Sequence, residues 1–352
     1  MFKNEDAYRF DEMKIFKNVY KYDDWKRREH EAVRNTVGWY YFTHHLVEVT
    51  GKDAAAFLDL IYLKPISNLE VSRARYTTML NEQAQILDDV VVFRLEENKF
   101  WVSTLYAVKL TRWLDTHKGD YDVTYEIITD QWDMYAVQGP KSKDLVNALV
   151  EKNIDDQKFF QILDNKIDDI PVKINRGGFT GEKVGYEIYV SPAFCETIEA
   201  KLAETGKDFG AVEVQEFQIM ALSLPTEKGF YLMADIQWAN PFEVGLADGV
   251  DWNKDFIGKE ALLKIKEEGP KRTLLGFITD EDDVHIHPKD RGGSGHPVLM
   301  GGEEVGRVTK FTYGYISERS IGFALVDADK AKIGDRIVIN GYSGTLTERV
   351  FA

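Results

Sequence analysis

Cysteine is almost missing from this chain: Cys195 is the only one in 352 residues. No intramolecular disulfide framework can exist, and such sparse usage fits a reducing compartment. A catalytic thiol is not expected at Cys195, which falls in a helical stretch. Long apolar runs are missing too. No stretch approaches the roughly 18 residues that a membrane-spanning helix needs, and the opening MFKNEDAYRF lacks the charged-then-apolar pattern of a secretory signal. A soluble, cytoplasmic protein with no membrane partner is expected. Positive charge is in short supply, with 44 Lys and Arg against 59 Asp and Glu and a formal net charge of −15. Non-specific binding to nucleic acid needs clustered cations, so this balance argues against it. The chain also has no nucleophile elbow, no CxxC pair, no GxGxxG and no P-loop signature.

Aromatic residues, in contrast, are abundant: 20 Phe, 17 Tyr and 7 Trp. Most of these rings belong to cores, and some are available to hold a flat or cationic ligand. The length allows two or three domains. Helical patterns such as KDAAAFLDLIYL and YAVKLTRWLDTH mix with short strands, without one long βαβ series, which predicts α+β layering. The tail reads differently. From residue 271 onward, short β runs (TLLGFIT, HPVLM, SIGFALV, DRIVIN) alternate with glycine-rich turns, predicting a small antiparallel barrel or sandwich. Gly269-Pro270 marks the expected boundary between a region 1–269 and a domain 270–352.

The stretch RYTTMLNEQAQILDDVVVFRL carries the chemistry that stands out most. Two β runs flank a polar connection, and the second opens with Asp88 and Asp89. Alternation on one strand puts Asp89, Val91 and Phe93 on one face and Asp88, Val90 and Val92 on the other. Asp89 is therefore the acid that shares a surface with an aromatic ring, where a carboxylate needs a partner. His44 and His45 follow the aromatic run Trp39-Tyr40-Tyr41-Phe42, so one is expected to face the core and the other a cleft. Gly177, Gly178, Gly181 and Gly185 lie between two strand-like runs, at spacings that match no nucleotide loop. They suit a close backbone approach to a ligand, with Glu187 on the next strand as a polar anchor. His285, His287 and His296 lie near acids in a loop without a regular frame, and no metal site is expected there.

Seven segments in order resemble the glycine-cleavage T-protein family of tetrahydrofolate-dependent enzymes. They are EAVRNTVGWYYFTHH, NEQAQILDDVVVF, AVQGPKS, NRGGFTGEKVGYEIYV, NPFEVGL, KDFIGKEAL and the HPVL to EEVGRVT stretch. The resemblance implies three domains arranged like a clover leaf around a folate channel, the last a small β-barrel. It assigns the essential aspartate to Asp89 and folate-contacting positions to Tyr76, Phe93, Phe179, Glu187 and the aromatic Phe230. It also puts His44 and His45 beside the substrate. A carboxylate at 187 suits the paired N–H donors on a pterin edge.

Departures from the family pattern direct the expected activity. The family's arginine-bearing GARD..R.E segment reads QIMALSLPTEKGFYL here, with Ala221 and Pro225 near the arginine positions and Glu227 retained. Ala84-Gln85 replaces a glycine pair. The net charge of −15 also argues against docking an acidic lipoyl carrier protein. A tetrahydrofolate-dependent demethylase, taking a methyl group from a small methoxy, sulfonium or methylamine donor, is therefore expected. The alternatives are a glycine-cleavage aminomethyltransferase and a non-catalytic folate-binding or scaffold protein.

Overall fold

A computed structural model describes residues 24–42, 45–217, 219–282 and 295–351. His44, His285 and His287 lie outside them. Helix α1 (Asp24–Asn35) leads into β1 (Val37–Tyr41). Next come β2 (His45–Thr50), α2 (Ala54–Ile61), β3 (Arg73–Leu80), β4 (Ile86–Glu96), β5 (Lys99–Thr104), α3 (Ala107–His117) and β6 (Thr124–Ile127). The chain continues through β7 (Asp133–Gln138), α4 (Ser142–Leu149), β8 (Ile162–Ile167), β9 (Ile170–Arg176), β10 (Gly185–Val190), α5 (Cys195–Gly206) and β11 (Ala211–Glu213). Short helices follow: α6 (Leu224–Glu227), α7 (Met233–Ile236), α8 (Pro241–Val244) and α9 (Lys259–Glu268). The last strands are β12 (Arg272–Thr279), β13 (Pro297–Met300), β14 (Glu303–Gly314), β15 (Arg319–Asp327), β16 (Arg336–Ile339) and β17 (Tyr342–Thr347).

Among the described residues these strands form three β units. One sheet has the order β3-β4-β5-β2-β6, a second the order β11-β1-β7-β10-β9-β8, and β12-β15-β14-β13-β16-β17 closes into a barrel. The tail is thus a barrel and not an open sandwich, and closure removes its free edges. The five-stranded sheet is inserted between β1 and β7 of the six-stranded one, so neither sheet forms from one continuous stretch.

Each sheet buries one face under its own helices. Ala54, Phe57, Leu58 and Ile61 of α2 repeat at helical spacing and are all buried, meeting Val90 and Val92 of β4 and Leu110 and Leu114 of α3 in one core. On β10, Tyr186, Ile188 and Val190 join Leu145, Ile198 and Leu202 of α4 and α5 in a second core. The opposite faces of β4 and β10 contribute Phe93 and Tyr189 to a third, strongly aromatic cluster. That cluster lines the seam between the two sheets.

Local signals account for the element boundaries. Asn240 caps α8 by accepting from the N–H groups of Phe242 and Glu243, Pro241 fills the first helical position, and Gly245 ends the helix at φ +73°. The stretch EVQEFQIMALSLP reads as one helix by periodicity, but the structure gives a π-turn at Ile219–Ser223 and then α6. Pro225, which cannot donate a backbone hydrogen bond, breaks the ladder there. Among the described residues no helix is long and apolar enough to cross a membrane.

Candidate active site

Asp89 and Tyr76 meet at the candidate site. Their strands pair antiparallel with Thr78 opposite Asp89 and Tyr76 opposite Val91, so both side chains leave the sheet on one face. The Tyr76 hydroxyl donates to Asp89 Oδ2 at 2.9 Å. Burial raises the Asp89 carboxyl to about 6, while the Tyr76 hydrogen bond pulls it back toward the ionised form. Burial also pushes the Tyr76 phenol well up, so it remains a protonated donor. Asp88 points the other way, as alternation predicts. It has no exposed surface, accepts from Thr104 Oγ1 at 2.6 Å, and is raised by burial to about 7.

The second polar group sits across the seam on β10. Glu187 Oε2 accepts from Asn175 Nδ2 at 2.8 Å and from the Tyr189 hydroxyl at 2.9 Å. Both donors reach the same oxygen, and Asn175 Oδ1 is buried with no partner among the described residues. Burial raises the Glu187 carboxyl. One buried acceptor without a partner, Asn175 Oδ1, beside a part-buried carboxylate fits a ligand edge that offers paired N–H donors, as the pterin ring of a folate does. Phe93 connects the two halves, with its ring centroid 5.9 Å from that of Tyr189.

A glycine loop carries Phe179 to the same seam, where it packs 4.4 Å from Phe42 and 6.1 Å from Tyr40. Gln138, at the end of β7, explains why glycine stands at 178 and 185. Its side-chain amide donates to the Gly177 carbonyl at 3.0 Å and accepts from Thr180 Oγ1 at 3.0 Å. A Cβ at Gly178 or Gly185 would fall 2.1 or 2.3 Å from that amide oxygen. Arg34 of α1 anchors the far side of the loop. It donates to the Thr180 carbonyl at 3.1 Å and pairs with Glu182 and with Glu227.

The remaining anticipated residues are less central. Phe230 is 43% exposed and offers its carbonyl to Lys310 Nζ at 3.2 Å. Its neighbour Tyr231 shares an apolar cluster with Tyr76, and the Arg349 guanidinium lies 5.0 Å over its ring. His45 is half-buried at the start of β2, with Nδ1 3.5 Å from Thr129 Oγ1, and burial lowers its pKa. Cys195 is buried, with its thiol 2.7 Å from Asp133 Oδ2. Sequence reasoning missed Asn175, Tyr189, Tyr231, Asp235 and Lys310. The first two were within reach: Tyr189 shares Glu187's strand face by alternation, and Asn175 is Glu187's cross-strand partner.

Residues 3–254 match the family model described as the GCVT N-terminal domain, and residues 272–350 match the glycine cleavage T-protein C-terminal barrel domain. An aminomethyltransferase of Alkaliphilus oremlandii (strain OhILAs) is 34% identical over 334 residues, covering 92% of this chain and 87% of that protein. One from Thermoanaerobacter sp. (strain X514) is 32% identical over 320 residues, covering 88% and 84%. The crystal structure of glycine cleavage system aminomethyltransferase T from Bartonella henselae superposes with a TM-score of 0.81 at 22% identity, over 93% of this chain and 89% of that one. It shares the fold.

Proposed function

Because the chain belongs to the glycine-cleavage T-protein family, whose members are one-carbon transferases using tetrahydrofolate, we propose that it transfers an aminomethyl-derived one-carbon unit to that cofactor in the seam between the two sheets. The observation that carries the reading is the Tyr76–Asp89 hydrogen bond at 2.9 Å, set opposite the Glu187–Asn175 pair. Glu187 and Asn175 would hold the pterin edge, and Phe179, Phe42 and Phe93 would supply the apolar walls. Tetrahydrofolate, when bound, supplies the amine nitrogens that accept the one-carbon unit. Asp89 would be the base within the seam: ionised above about 6, it would take a proton from a folate nitrogen as the donor carbon exchanges its bonds to ammonia nitrogen and carrier sulfur for bonds to folate, releasing ammonia and the carrier thiol. Tyr76 keeps that carboxylate in one orientation, which is the main contribution a rigid site makes to such a transfer.

The relatives' names favour aminomethyl transfer over the demethylation expected from the sequence. The arginines missing from residues 218–232 had argued against it, but Arg34 and Arg349 bring guanidinium groups to that segment from elsewhere in the chain. Methyl transfer from a small methoxy, sulfonium or methylamine donor is the second reading, favoured by the net charge of −15, which works against docking an acidic carrier. One experiment separates them. The protein is incubated with tetrahydrofolate and either an aminomethyl-loaded lipoyl carrier or a panel of methylated small molecules. Methylenetetrahydrofolate plus ammonia supports the first reading, and 5-methyltetrahydrofolate the second. No product with any donor, despite tetrahydrofolate binding, would refute both and leave a binding protein.

A further inference from the structure

Behind Asp89 lies a buried ion pair that the transfer reading does not use. Lys310 Nζ is 2.9 Å from Asp235 Oδ2, and each side chain is only 2% exposed. Asp235 sits in α7, where the same oxygen accepts the Leu232 N–H at 2.7 Å. Lys310 belongs to the barrel. A bulge between Val308 and Lys310 breaks the alternation of β14, so Val308 enters the barrel interior while Lys310 turns outward, with Nζ 5.1 Å from the Phe323 ring centroid. Helix α7 packs against β4 on one side and β14 on the other. Tyr76, Tyr231, Met233 and Phe323 share one apolar cluster. The barrel therefore delivers an ammonium, and α7 a carboxylate, to the back of the Tyr76–Asp89 hydrogen bond.

Such a pair adds little net stability compared with apolar side chains of similar volume. Its consequence is electrostatic. Asp89 and Asp235 alone would be two carboxylates in a poorly solvated place, and like charges there resist joint ionisation. The other groups facing Asp89 are the phenols of Tyr76 on β3 and Tyr231 ahead of α7, with Arg349 beyond Tyr231; Asp88, on the same strand, points to the opposite face. Among these, Lys310 is the cation that neutralises Asp235.

We propose that Lys310 and Asp235 are positioning residues for Asp89: a charge pair, assembled from the barrel and α7, in which Lys310 cancels the Asp235 charge that would otherwise oppose ionisation of Asp89, so that losing either member alone moves the pH at which the reaction fails on acidification. This rests on Asp89 being the base of the transfer. The two charges act on Asp89 with opposite signs, so their removal must have opposite effects.

The test uses three full-chain variants, Lys310→Met, Asp235→Asn and the double variant, with two readouts. One is the pH dependence of product formation from tetrahydrofolate. The other is the titration of the Asp89 carboxyl by carbon NMR on aspartate-labelled protein, assigned by its loss in Asp89→Asn. Lys310→Met is expected to move both to higher pH and Asp235→Asn to lower pH, each by about one pH unit, and the double variant to return near the wild type. If Lys310→Met does not fold, Asp235→Asn and the double variant still fix the sign. Single variants moving in the same direction, or an unmoved Asp89 titration, would overturn the proposal. The NMR titration needs no turnover. A protein that makes no product but shows the opposed movements disproves the transfer reading and keeps the pair's electrostatic role, whereas product formation with an unmoved titration disproves the pair alone.

Discussion

Replacing Tyr76 with Phe removes one oxygen and leaves the ring in place. That oxygen donates to Asp89 Oδ2 at 2.9 Å, and a hydrogen bond to a buried charged group is worth about 2 kcal/mol. The bond favours the carboxylate, so its loss raises the proton affinity of Asp89 by on the order of 1.5 pH units. Starting from about 6, Asp89 would change from mostly ionised to mostly protonated at neutral pH. Turnover at pH 7 should fall about fourfold and recover almost fully by pH 9, since the same base is present once titrated. Tetrahydrofolate affinity should change little, because the ring's apolar contacts remain. Initial rates at saturating tetrahydrofolate across this pH range decide the matter. A rate lowered equally at every pH would mean that the phenol acts on the substrate directly, and an acid limb moved to lower pH would refute the electrostatic reasoning.

Glu187→Gln keeps the shape but removes the charge that would meet the pterin's donors; tetrahydrofolate affinity, measured by calorimetry, should weaken roughly 10- to 100-fold. Gly178→Ala places a methyl group 2.1 Å from the Gln138 amide oxygen, breaking the two hydrogen bonds that hold the Phe179 loop; a loss of about 2 kcal/mol in chemical denaturation and weaker tetrahydrofolate binding are expected. Asp88 is raised from 3.8 to about 7 by burial, so the folded state binds its proton more tightly than the unfolded one. The resulting stabilisation is complete below the unfolded value and is lost as pH rises through about 7. Asp88→Asn should therefore raise the apparent melting temperature at pH 8 by roughly 2–4 °C relative to its effect at pH 5; an equal effect at both pH values would contradict this.

Much of the architecture was legible because it follows from local patterns. The α2 helix repeats its apolar residues at helical spacing, and period-2 alternation on β4 distinguished Asp89 from Asp88. Local pattern alone left the tail as a barrel or a sandwich, and the family resemblance supplied the barrel, since closure depends on β12 pairing with β17, about 70 residues away. The insertion of one sheet between β1 and β7 is of the same kind. Nothing local in either strand states which partner it will take.

Lys310 shows why the back of the site stayed hidden. In GRVTKFTYG a lysine after Val-Thr reads as a solvated face of a strand, and ordinary alternation would put it on the same side as Val308. One extra residue in β14 reverses that, and the position becomes buried beside α7, whose Asp235 is its partner 75 positions away. The same distribution explains how a chain without the family's arginine segment can keep cations around its site. Arg34 reaches Glu227 from α1, Arg349 covers Tyr231 from beyond β17, and Lys310 approaches Asp235 from the barrel. A net charge of −15 over the surface therefore says little about the seam, where the charges that bear on Asp89 come from units far apart in sequence. If the barrel and α7 set the ionisation of Asp89, substitutions at their interface should change the pH at which the enzyme works before they change what it binds.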